Sequence, residues 1–108
     1  MTPASLRRLV AKGEGPLLEF KRSTGELREA MEALCGMLNG VGRGRVLFGV
    51  SDKGDVIGQA VSDSTLRDVA NAARRIEPAA QVKTTVLKIR PGVAVLLIET
   101  AAHADGPF

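Results

Sequence analysis

From Asn39 to Gly54 the chain reads Asn-Gly-Val-Gly-Arg-Gly-Arg-Val-Leu-Phe-Gly-Val-Ser-Asp-Lys-Gly, and no other stretch constrains the fold as much. Asn39-Gly40 suits a left-handed helix cap, because glycine enters that conformation without the clash a Cβ brings. Arg45 to Val50 then offers β-branched and aromatic residues in a run apolar enough for a buried strand. Ser51-Asp52-Lys53-Gly54-Asp55 is turn chemistry, and Val56-Ile57-Gly58 is expected to follow as a partner strand. A helix end, a buried strand and a turn in such quick succession ask for a sheet on which the helix can pack.

The helix in question is expected over Gly25 to Leu38. Leu27, Met31, Leu34 and Leu38 recur at helical spacing, while Glu26, Arg28, Glu29 and Glu32 take the outer face. Upstream, residues 4–12 predict a short helix with Leu6, Leu9 and Val10 on one side, and Leu17 to Lys21 a strand led in by Pro16. Downstream, Asp63 or Ser64 can cap a helix reaching Ile76, with Leu66, Val69, Ala70 and Ala73 inward and Pro78 as its stop. Val82 to Ile89 and Val93 to Ile98 read as strands joined at Arg90-Pro91-Gly92. The second is apolar on both faces, as a central strand covered on each side would be. The expected order is α-β-α-β-β-α-β-β, an α+β class with a mixed β-sheet flanked by helices. Residues 1–100 make one domain, and 101–108 a tail that reads as the start of a further region.

Composition narrows the function. Phe20, Phe48 and Phe108 are the only aromatics, so a stacking platform of the kind single-strand binders use is excluded. Any nucleic acid is expected to be held mainly by its backbone. The net charge of +3 suits a polyanion without demanding one. Basic residues fall at Arg7, Arg8 and Lys12, around the glycine-rich stretch, and at Arg74-Arg75. Cys35 is the sole cysteine and is expected as a buried, inert thiol, which favours a reducing cytoplasm. No segment has the length of a membrane span or the pattern of a signal peptide. His103 is the one histidine, so no nucleophile–histidine–acid set can be drawn. Met31 and Met37 are expected to fill core space.

Two constellations carry chemistry. Lys21, Arg22, Arg43, Arg45 and Lys53 are candidate phosphate contacts, and a turn at Gly40, Gly42 and Gly44 would let the backbone approach a phosphate. The plain alternative is a helix cap beside a solvated surface. Glu14, Glu19 and Asp52 could together hold Mg²⁺ or Mn²⁺ and activate a water, unless Glu19 simply pairs with Lys21 or Arg45. The glycine-rich stretch lacks the Gly-Lys-Ser/Thr ending of a P-loop, so ATP hydrolysis is not expected. No helix carries the Arg/Asn/Gln cluster that reading bases in a groove requires.

Glu19-Phe20-Lys21, then Asn39-Gly40, the glycine-rich stretch, Leu47-Phe48-Gly49-Val50, Asp52-Lys53-Gly54 and Ile57-Gly58, in this order and spacing, resemble the Schlafen-type AlbA-like domain. The resemblance covers residues 5–100. It implies a nucleic-acid-binding, DNA-contacting module of a bacterial transcriptional regulator, of a kind in which two copies often pair to form the binding surface, and no cofactor is expected. It also implies an alternative. Nuclease members carry a Glu-x-x-x-x-Glu-Phe-Lys pattern that Glu14 and Glu19 match, and would cut RNA with a divalent metal. Asp52 lies near their third acid, but Ser51 stands where they often have an aspartate, so a non-catalytic module is the expectation. A further alternative is a dimerisation domain that binds neither nucleic acid nor metal.

Overall fold

The computed structural model describes residues 1–76 and 80–102. The elements run α1 (Pro3–Ala11), β1 (Leu18–Lys21), a 3₁₀ turn (Thr24–Glu26), α2 (Leu27–Val41), β2 (Arg43–Phe48), α3 (Asp63–Ala73), β3 (Ala80–Arg90) and β4 (Val93–Ala102). The sheet order is β1-β2-β4-β3. β1 runs parallel to β2, and α2 supplies the crossover that a parallel pair needs. The remaining pairs are antiparallel, so the sheet is mixed and the class is α+β, as expected.

Each sheet face buries its own apolar cluster. On one, Ala30, Met31, Leu34 and Leu38 of α2 meet Val46, Phe48, Leu96 and Ile98, joined by Val69 and Ile76. On the other, Leu6, Leu9 and Val10 of α1 cover Leu18, Phe20, Leu47, Val95 and Leu97. β4 supplies alternate residues to both clusters because it lies inside the sheet with a helix layer on either side. Its double-sided apolarity is therefore a consequence of position. α1 and α3 begin at side-chain caps of their own, whereas α2 continues directly from a capped 3₁₀ turn. Thr2 and Ser62 form capping boxes on α1 and α3, and Ser23 caps the 3₁₀ turn that leads into α2.

The structure corrects several boundaries. α2 passes Asn39-Gly40 and ends at Gly42, whose φ of 88° is left-handed and whose N–H donates to Leu38 O at 2.8 Å. α3 is capped by Ser62, not by Asp63 or Ser64. Leu66 and Ala70 face outward, and Val69 carries the burial of that helix. Cys35 is half-buried rather than enclosed. Pro78 and the tail from His103 to Phe108 lie outside the described residues.

Val56 to Gly58 forms no strand. Only isolated bridges occur, Val50 with Val56 and Gln59 with Ala94. The cause is a close crossing of two glycines. The Ile57 and Gly58 N–H groups both donate to Gly49 O at 2.8 Å, which bends the chain away from a second ladder. A Cβ on Gly49 would stand 3.0 Å from Gly58 Cα, and Gly49 has φ of 101°. Gly49→Ala is accordingly expected to cost about 2–4 kcal/mol, from backbone strain plus the clash. A urea midpoint unchanged within error would show that the crossing yields freely.

Candidate nucleic-acid interface

Strand alternation decides which charged residues can act together. Residues paired across neighbouring strands point to the same face, and Leu18, Arg45, Glu99 and Lys83 form one such row. The next row inward, Phe20, Leu47, Leu97 and Thr85, lies on the α1 side, where α1 packs over its first three members. The row outward places Arg43 opposite Ala101, which in turn faces Gln81. α1 thus covers one end of this face and leaves the other open.

The open end is a shallow cavity of about 570 Å³ lined by Leu17, Arg43, Arg45, Gln81, Lys83 and Glu99. Three cations from two strands surround one carboxylate, for a local charge of +2. Arg43 and Lys83 are exposed, and Arg45 and Glu99 are half-buried. Among the described residues the single ion pair is Lys21 Nζ with Glu19 Oε2, at 3.4 Å. Arg43, Arg45 and Lys83 are therefore held near one another without being neutralised by a direct partner.

The sequence-selected cations separate into different places. Lys21 and Glu19 occupy the opposite, α2-side face of β1, since their register partners are Phe48 and Val46. Arg22 is exposed just beyond β1, where its N–H donates to Glu26 Oε2 at 3.0 Å. Lys53 lines a different depression of about 390 Å³ with Arg7, Gly13, Phe20 and Asp52. Of the candidate set, only Arg43 and Arg45 share the open sheet end.

The three glycines do not form one turn. Gly40 lies in the last turn of α2, Gly42 caps that helix, and Gly44 is a buried residue of β2 beneath Met37. The acidic set is dispersed as well. Glu14 Oε1 accepts a hydrogen bond from Phe20 N at 3.0 Å, satisfying a backbone donor on the outer edge of β1. Glu19 pairs with Lys21, and Asp52 sits in the turn beside Lys53. Among the described residues no group of three or more His, Cys, Asp or Glu is placed to hold a metal ion.

Sequence reasoning missed Lys83 and Glu99. Alternation within β3 and β4 was a usable signal for the face each takes within its own strand. The register that sets both beside Arg45 was not.

The fold and this surface define an α+β domain with a helix on one half of a sheet face and a cationic strip on the other half. The chain belongs to the Schlafen, AlbA_2 family, whose model matches residues 14–107. That membership is consistent with a nucleic-acid-binding domain. No curated protein matches the chain. Among the described residues no helix is long and apolar enough to cross a membrane.

Proposed function

We propose that this domain binds nucleic acid by its phosphodiester backbone at the open end of the sheet, with Arg43, Arg45 and Lys83 as the phosphate contacts. The observation that carries the reading is the convergence of three cations without a direct carboxylate partner on one concave face. Arginine can bridge two phosphate oxygens, and lysine adds a point charge. Arg22 and Lys53 are peripheral contacts in this reading, and Lys21 contributes little because Glu19 already engages it. Phosphate is common to DNA and RNA, so these contacts admit both. The setting, a module of a transcriptional regulator acting as a homodimer, draws its support from the family resemblance alone. A metal-dependent nuclease finds no comparable support, since Glu14, Glu19 and Asp52 occupy separate environments.

The test is a fluorescence-anisotropy titration of labelled duplex DNA, single-stranded DNA and RNA at several salt concentrations. Three phosphate contacts predict that log K falls with log[salt] at a slope of about −2 to −3. Absence of binding to all three at low salt, or affinity indifferent to salt, would sink the proposal.

A further inference from the structure

We propose that Glu99 is the specificity-determining residue of this interface, and that it favours a backbone carrying a hydrogen-bond donor between its phosphates: the ribose of RNA over the deoxyribose of DNA. The inference rests on the phosphate-binding reading above and adds a choice to it.

A surface built only to attract phosphate gains nothing from a carboxylate at its centre. Glu99 nevertheless stands on β4, half-buried, directly between Arg45 on β2 and Lys83 on β3. Its oxygens form no ion pair with either neighbour and accept no hydrogen bond among the described residues. Neutralising the flanking cations is therefore not its task in this arrangement. The row reads cation, anion, cation. Neighbouring strands lie ~4.8 Å apart, so the two cationic residues are ~10 Å apart at the backbone with an acceptor midway.

A polynucleotide strand presents the complementary alternation of phosphate, sugar, phosphate. With a phosphate on each cation, the intervening sugar faces Glu99. An ionised carboxylate can only accept hydrogen bonds. The ribose 2′-hydroxyl donates one, and the bond is charge-assisted. Deoxyribose has no donor there, so DNA strips water from the carboxylate and returns nothing, while its phosphates repel it. Glu99 consequently penalises both polymers and compensates only one.

The experiment compares single-stranded RNA, DNA of the same sequence and 2′-O-methyl RNA, bound by the full chain and by its Glu99→Gln variant at one salt concentration. Glutamine keeps the shape and a carbonyl acceptor but removes the charge. The unaltered protein is expected to favour RNA by about tenfold or more, the net worth of one hydrogen bond to a charged group that DNA cannot make. Methylated RNA should fall to the level of DNA, and Glu99→Gln should close the gap mainly by tightening DNA. Equal affinity for RNA and its methylated form overturns the inference on the unaltered protein, whether or not the variant folds. An unchanged RNA-to-DNA ratio in the variant also overturns it, as does equal weakening of all three ligands, which would make Glu99 a support for Arg45 and Lys83. Those outcomes leave phosphate binding standing. If no oligonucleotide binds, the phosphate reading fails and this inference fails with it.

Discussion

Replacing Arg43 and Arg45 together by glutamate is expected to reduce nucleic-acid affinity at least about a hundredfold at low salt, by removing two phosphate contacts and opposing the polyanion. The open sheet end would change from three cations and one carboxylate to one cation and three carboxylates, a local charge of −2. The fold should survive. Arg43 is exposed and Arg45 half-buried, so neither is a core residue. The main structural cost is a glutamate at 45 directly opposite Glu99, a like-charge pair worth about 0.2–1 kcal/mol. Thermal unfolding should therefore shift by no more than about 5 °C. Lys53→Glu is the matched control, because it changes charge in the separate depression beside Arg7. Its effect should stay within about threefold, as for a peripheral charge. Comparable losses from Lys53→Glu and the double variant would mean that general charge, and not the open sheet end, governs binding.

The parts of the fold legible in the sequence were those set by local burial. Leu27, Met31, Leu34 and Leu38 announce a helix against an apolar layer, and three of them prove buried. Val95, Leu96, Leu97 and Ile98 announce a strand covered twice, and β4 is that strand. Boundaries were less legible where two residues satisfied one rule. Gly40 and Gly42 can each end a helix. The choice fell to Gly42 because Leu38 remains in the core and its carbonyl accepts the capping N–H. Val56 to Gly58 has strand-forming residues, but the Gly49–Gly58 crossing overrides them through a contact that no local pattern displays.

The site divides the same way. Alternation along β1 puts Leu18 and Phe20 on one face and Glu19 and Lys21 on the other, which a reading with period two can see. Whether Lys21 and Arg45 share a face depends on the parallel register between β1 and β2, which no spacing encodes. They do not share one. Lys83 and Glu99 were hidden for the same reason, since hairpin and sheet pairing bring them to Arg45 from more than thirty-five positions along the chain.

Gly44 joins the sheet core to the proposed interface, and its replacement has the larger expected effect on stability. Arg43 and Arg45 point to the α1 side, while Gly44 between them faces α2 and lets Met37 lie against the strand. A Cβ at Gly44 would fall within the space of the Met37 side chain, overlapping its Cβ, Cγ and Sδ. Part of that side chain can swing away, but its Cβ moves only if α2 moves. Gly44→Val is therefore expected to destabilise the domain by about 3 kcal/mol, lowering Tm by roughly 10–15 °C. Adding Met37→Ala removes the Cγ and Sδ overlap and leaves that of Cβ. The double variant should then recover about 1 kcal/mol relative to the sum of the single effects. Urea denaturation of the four proteins reads this coupling directly. Strict additivity, or a Gly44→Val cost below about 1 kcal/mol, would place α2 farther from β2 than this packing requires. Because the valine enters from behind the cationic strip, the folded fraction of Gly44→Val should still bind nucleic acid with a salt dependence near that of the unaltered protein. The glutamate pair at 43 and 45 is expected to remove binding while the fold persists. Opposite outcomes from adjacent positions on one strand are what the alternation of β2 demands.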